Sequence, residues 1–231
     1  GLSGAALAGT SAWLELTPWT FFTLIAVLSI AATGVAYGTL IPHLPGDRGV
    51  GFNWPKGNLL WLSIALFCTG LGEGAIYDWA SIYMRDIVQS SEAIAAGGFL
   101  AFSLAMFLGR LFADRVQHAV GSVQLAFLSG CLASLGLLVV VISRSTPMAL
   151  SGFLIAGLGF CPLFPLIFGA AGRYPDSNRA LAAVATLGYL GFLCGPPLIG
   201  WVSQQTSLPM AFLGLTAAML LIPWLSRFFD R

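Results

Sequence analysis

Two acidic side chains, Glu73 and Asp78, fall well inside an otherwise apolar stretch. An ionisable group in a hydrocarbon setting costs roughly 2.5–3.5 kcal/mol on insertion scales, so it must face a cavity or find a partner. A carboxyl held there can carry a proton or bind a polar solute. On a helix the five-residue offset between the two acids turns about 140°, which puts them on different faces. Gly70, Glu73, Gly74 and Tyr77 do share a face. That face is expected to look into a central cavity, with Glu73 as proton carrier or solute ligand; the competing role for Glu73 is a structural hydrogen bond. Asp78 lies nearer the helix end. It is expected to pair with Arg85 or to cap neighbouring backbone, with solute binding as the alternative. Tyr77, Trp79, Phe164 and Tyr189 are candidate cavity aromatics, because rings stack on sugar faces and Tyr adds a hydroxyl. The competing assignment for such rings is lipid or core packing, and Trp19, Trp201 and Trp224 sit where an interfacial belt is expected.

Bond-breaking chemistry finds little support. Tyr77-Asp78 is similar to the Tyr-Asp pair of intramembrane aspartyl proteases, but the Gly-x-Gly-Asp that must accompany it has Gly157-Leu158-Gly159-Phe160 as its nearest match, without the acid. There is no HExxH and no Gly-x-Ser-Gly. His43 and His118 fall in or beside loops. Cys68, Cys131, Cys161 and Cys194 occupy separate apolar stretches with no metal-ligand spacing, and are expected to be buried small hydrophobes. No catalytic residue, metal set or cofactor is assigned, and the chain is not expected to be an enzyme.

The elements that must position these residues follow from composition. Of 231 residues, 58% are hydrophobic and 8% charged, with net charge +1, and mean hydropathy is +0.88. Soluble domains carry roughly 25% charged residues, so lipid is the expected solvent. The near-neutral charge gives no field for nucleic acid. A spanning helix needs about 20 apolar residues. Charge-free runs place helices at 18–42, 58–84, 92–113, 119–142, 147–171, 178–202 and 208–228, with SQQTSLP (203–209) dividing the last long run. Thr17-Pro18 and Thr146-Pro147 each pair a capping residue with a proline suited to the first helical turn. Seven spans put Arg48, Lys56, Arg110, Arg115, Arg173, Arg179, Arg227 and Arg231 on one side, and Arg85 and Arg144 on the other. The eight-charge side is expected to be cytoplasmic, C-terminus included, in the inner or plasma membrane. The opening GLSGAALAGTSA, without an initiator Met or a charged leader, reads as a fragment starting inside a helix.

Helix-breaking residues cluster at comparable depth. Gly70, Gly72 and Gly74 lie in one helix, and Gly157, Gly159, Pro162 and Pro165 lie in another three helices later. Interruptions at matching positions of inverted repeats point to a solute site; close packing through Gly70-x-x-x-Gly74 is the alternative. Pro196 and Pro197 are expected to kink helix 178–202, with neighbours satisfying the freed carbonyls.

Gly109-Arg110-Leu111-Phe112-Ala113-Asp114-Arg115 resembles the G-x-L-x-D-R loop signature of the major facilitator superfamily. EGAIYDWASIYMRD (73–86), GLGFCPLFPLIFGAAGR (157–173) and GYLGFLCGPPLIGWVS (188–203) are similar to its bacterial branch near the fucose-permease-type sugar–proton symporters. The resemblance implies an all-α membrane protein with seven transmembrane helices, six of them a C-terminal half-bundle built from two inverted three-helix repeats. Residues 1–17 are then the tail of an earlier helix plus a periplasmic loop, 18–42 the last helix of the N-terminal half, 43–57 the inter-half linker, and 58–231 the C-terminal half. It implies a gating role for Gly109, Arg110, Asp114 and Arg115, with an ordinary charged cytoplasmic turn as the alternative; Asp114 can pair with Arg110 or Arg115 or accept hydrogen bonds from a helix N-terminus. It also implies a secondary transporter of a small polar solute, a sugar or related metabolite among the options, working by alternating access with proton coupling. Its partners would be solute, protons, lipid and the missing N-terminal half. A non-transporting membrane scaffold or sensor is the alternative of a different class.

Overall fold

The computed structural model describes residues 17–37 and 54–229, and the chain divides into two compact units, Gly1–Val50 and Gly51–Arg231. Among the described residues the structure is helical, without strands. The expectations for residues 1–16 and 38–53 lie outside the described residues, including the end of the first helix at 42 and most of the 43–57 linker.

In the first unit, α1 (Pro18–Tyr37) starts where the Thr-Pro signal places it. The Thr17 hydroxyl accepts the backbone N–H of Thr20 at 3.3 Å, satisfying one of the donors that a helix start leaves free. The hydroxyls of Thr23, Ser29 and Thr33 donate to carbonyls one turn back, at 2.7–2.8 Å, so these three side chains of an apolar helix need no water.

The second unit runs α2 (Asn58–Asp86), the single turn α3 (Glu92–Ala95), α4 (Gly97–Val120), α5 (Ser122–Ile142), α6 (Thr146–Phe160), α7 (Leu163–Gly172), α8 (Ser177–Gln205) and α9 (Leu208–Leu225), closing on a 3₁₀ turn at Ser226–Phe228. Asp176 caps α8 and Ser207 caps α9 through their side chains. The SQQTSLP divider falls between those two helices. α6 begins one residue earlier than Thr146-Pro147 suggests, with Ser145 at the cap position. α2 is the middle of the bundle. Residues 68–76 are buried on every side, as expected of a helix packed all round. α2 packs most extensively on α8, while α5 packs on α6 and α9, and α4 on α6.

Six helices among the described residues are long and apolar enough to cross a membrane: Trp19–Tyr37, Asn58–Asp86, Ser122–Ile142, Thr146–Gly172, Ser177–Gln205 and Leu208–Phe228. The seventh expected span, 92–113, differs. A separate turn precedes it, and α4 continues to Val120, past Arg110, Asp114 and Arg115. No breaker stops the helix until Gly121, whose φ of 84° lies in the left-handed region that favours glycine. Asp114 and Arg115, expected beyond a helix end at 113, are therefore helical like the 109–113 stretch before them.

The expected interruptions divide. At Cys161-Pro162 the chain does break, separating α6 from α7. Proline cannot donate to the carbonyl of Leu158, and the Cys161 thiol donates to it instead at 3.2 Å. Pro165 sits in the first turn of α7, where a missing N–H is tolerated. Pro196 and Pro197 lie inside an unbroken α8. Gly70 and Gly74 do not interrupt anything, because α2 runs through both. Burial corrects a further expectation: Cys68 and Cys161 are buried, but Cys131 and Cys194 are exposed on the bundle surface. An apolar thiol tolerates a lipid-facing position as well as a core one.

Candidate functional site

Glu73 lies in the fully enclosed part of α2 and is 7% exposed. One turn on, the Tyr77 hydroxyl donates to its Oε1 at 2.8 Å. The i,i+4 spacing makes this contact, since such residues stand one above the other on a helix. Tyr77 is held edge-on by three rings, Phe99 at 5.5 Å and Phe102 at 5.9 Å from α4, and Phe192 at 5.9 Å from α8. Edge-to-face contacts of this kind fix a ring without using its hydroxyl. Phe99, Phe102 and Phe192 were not singled out from sequence. Their only signal is spacing: Phe99 and Phe102 stand three apart, and Phe192 lies one turn before Pro196. Arg110 of α4 lies within electrostatic reach of Glu73, Tyr77 and Cys161. This links a residue expected to gate with the one expected to carry chemistry.

The face shared by Gly70, Glu73, Gly74 and Tyr77 is packed rather than open. A Cβ at Gly70 would collide with the Gly188 carbonyl oxygen, and one at Gly74 with that of Phe192. The relation is reciprocal, because Gly191 and Gly195 of α8 meet the carbonyls of Phe67 and Leu71 on α2. The two backbones thus approach within Cα–H···O contact. The Phe192 carbonyl is one of those that Pro196 and Pro197 leave without a helical donor. It therefore rests against Gly74, a neighbour of the kind anticipated for freed carbonyls.

The remaining predicted residues scatter. Trp79 donates its indole N–H to the Pro196 carbonyl at 3.0 Å, which ties α2 to the proline pair of α8. Asp78 is exposed and does not pair with Arg85, which instead bonds the adjacent Asp86 at 2.6 Å. Adjacency explains the choice: Asp86 is next in sequence, while Asp78 is seven residues back. Tyr189 is 65% exposed. Phe164 is half-buried and packs on Phe168. In the expected gating cluster, Gly109 lies against Cys161 at the α6–α7 break, and a Cβ there would sit 2.5 Å from the thiol sulfur. Arg110, Asp114 and Arg115 are exposed, and among the described residues Asp114 makes no ion pair with either arginine. As exposed charges they are solvated singly, so the expected pairing gains little and does not form.

The described residues of the second unit line at least two cavities. One of about 460 Å³ is almost wholly apolar and lies between α4, α5 and the α6–α7 break, lined by Gly109, Phe112, Leu128, Leu158, Cys161 and Pro162 among others. The other, about 570 Å³, has a mixed polar and apolar lining and joins the entry to α2 with the α7–α8 connection. Neither includes Glu73.

No protein-family model matches the sequence. A protein of Yersinia pestis described as an uncharacterized MFS-type transporter is 31% identical over 228 residues, covering 96% of this chain and 58% of that protein. The membrane protein MosC of Rhizobium meliloti is 36% identical over 175 residues, covering 75% of this chain and 43% of the relative. The chain thus spans about half the length of these curated relatives. The fold is similar to the crystal structure of the E. coli fucose:proton symporter FucP, with TM-score 0.70 at 13% identity, over 96% of this chain and 61% of that one. Relatives and fold agree with the helical bundle described above: the chain belongs to the major facilitator superfamily, as part of a multi-pass membrane protein.

Proposed function

We propose that this chain is the C-terminal portion of a secondary transporter that moves a small polar solute by alternating access, with Glu73 as its proton-bearing carboxyl. The observation that carries the reading is the Glu73–Tyr77 pair, a carboxyl enclosed in the central helix of an apolar bundle and held by one hydroxyl donor. An acid in such a place is a functional group by default in a membrane protein. Its enclosure here agrees with a carrier, because alternating access requires the site to be shut off from each side in turn. A sugar or related metabolite is the solute class, on the likeness in fold to a fucose:proton symporter.

The packing supports two inverted three-helix repeats, α2, α4, α5 and α6–α7, α8, α9. α2 meets α8 as α6 meets α4, and α2 meets α9 as α6 meets α5. Each contact has the counterpart that exchanging the repeats requires. Residues 43–57 then link the halves, and 18–42 close the N-terminal half. Arg110, in electrostatic reach of Glu73, is a second polar group for the solute path, and Gly109 couples that helix to the α6–α7 break. The Lys- and Arg-rich ends lie in the cytoplasm.

Uptake in proteoliposomes holding the protein from its complete reading frame tests this, with fucose first in a panel of sugars and an imposed proton gradient. We expect gradient-driven accumulation of one solute class, lost in Glu73→Gln. Residues 1–231 alone should give no flux, since half of the solute path is built by the other half. Accumulation that survives Glu73→Gln, or flux through residues 1–231 alone, overturns the reading.

A further inference from the structure

The cavity of about 570 Å³ has a lining that no transport step uses. Its walls are Trp54, Pro55, Lys56 and Leu59 at the entry to α2, and Tyr174, Pro175, Asp176, Arg179, Ala180 and Ala183 from the α7–α8 connection and the start of α8. The lining combines two kinds of group in about equal number. The polar kind includes the Lys56 ammonium and the Arg179 guanidinium, against the single carboxylate of Asp176. Asp176 meets Arg179 through Nε at 3.1 Å, which leaves the terminal nitrogens of the guanidinium open to a second anion. The other kind, Leu59, Ala180 and Ala183 with the two prolines, is apolar. Trp54 and Tyr174 bring aromatic rings to the lining. Tyr174 lies between the spanning helices, and burial pushes its phenol up, so it stays a neutral hydrogen-bond donor.

The surroundings mark this end of the bundle as a membrane–water boundary. Trp61 stacks on Phe228 at 5.7 Å and meets Trp224 edge-on at 5.3 Å. The Arg227 guanidinium lies 3.9 Å from the centre of the Trp224 ring. Arg173 donates to the Phe229 carbonyl. Aromatic rings interleaved with cations are the signature of the headgroup level, and cationic side chains there attract anionic lipid.

We propose that this cavity is a binding site for one anionic phospholipid. Lys56 and the free edge of Arg179 hold the phosphate, and the glycerol and upper acyl chain lie on Leu59, Ala180 and Ala183. A bare phosphate satisfies the cations but leaves the apolar groups of the lining uncovered. A zwitterionic lipid covers those groups but offsets the cations with its own. The occupant bridges the segment leading into α2 and the connection between the sixth and seventh helices of this unit. It thus couples lipid composition to the seating of the helix that carries Glu73.

Native mass spectrometry of the protein in neutral detergent, with phosphatidylglycerol and phosphatidylcholine in competition, reads the site. We expect a preference for phosphatidylglycerol that falls about fivefold in Lys56→Gln, the equivalent of the roughly 1 kcal/mol that one basic residue contributes at an anionic surface. Lys56→Arg should keep the preference, and so should Arg144→Gln, a change at a cation in the α5–α6 connection. An unchanged preference in Lys56→Gln, or its loss in Lys56→Arg, overturns the proposal. So does inorganic phosphate displacing the lipid at millimolar concentration, which would assign the cavity to a soluble anion. None of these outcomes depends on the role of Glu73.

Discussion

At the residue scale, the hydroxyl of Tyr77 is the hydrogen bond that Glu73 has among the described residues. Tyr77→Phe removes the donor and leaves the three-ring socket intact. The unpartnered buried carboxyl should lower stability by about 1–3 kcal/mol, read as a shifted unfolding midpoint in detergent. Glu73→Gln keeps an acceptor facing Tyr77, so its midpoint should move by less than about 1 kcal/mol, and any loss of transport in that variant is chemical rather than structural. A Tyr77→Phe midpoint equal to wild type would mean that water or another donor serves Glu73. Glu73 could be found from sequence because a charge in an apolar run stands out by itself. Its donor was visible as i,i+4 spacing. The rings around Tyr77 were not, since Phe99, Phe102 and Phe192 look like the other phenylalanines of an apolar chain until helices are packed. Asp78 was equally conspicuous and is exposed; a charge near a helix end has water within reach and needs no site.

Helices α2 and α8 meet through backbone rather than side chains. Gly74→Val places a branched side chain against the Phe192 carbonyl and should destabilise the bundle by about 1–3 kcal/mol. Gly214→Val, at a position open on the α9 surface, should be nearly silent. Equal midpoints for the two variants would refute the close approach. Trp79→Phe deletes the bond to the Pro196 carbonyl at the other end of the same contact and should cost about 0.5–1.5 kcal/mol. Helix positions were legible from charge-free runs, the cap of α1 from Thr17-Pro18, and the divider before α9 from SQQTSLP. The meaning of the glycines was not. Gly70-x-x-x-Gly74 and Gly157-x-Gly159-x-x-Pro162 look alike as strings of weak helix formers. Only the second contains a residue that cannot donate a hydrogen bond, and only the second breaks. The end of α4 misled in the opposite sense, because the charges of Asp114 and Arg115 were read as the end of the helix although both residues are compatible with one.

For the whole molecule, the bundle separates thiols that sequence cannot rank. A small uncharged maleimide should modify Cys131 and Cys194 in the detergent-solubilised protein and spare Cys68 and Cys161 until unfolding. Rapid labelling of Cys161 would mean that the α6–α7 break opens readily. The same packing encloses Glu73, and under the carrier reading proposed above this carboxyl exchanges its proton as the halves rock. The most direct measurement compares two modes of the full-length protein in proteoliposomes: accumulation driven by a proton gradient, and solute exchange with no gradient. Glu73→Gln should abolish accumulation and retain exchange, because a neutral, hydrogen-bonded amide mimics the protonated state. A variant that accumulates solute with the wild-type dependence on pH would contradict the assignment of Glu73.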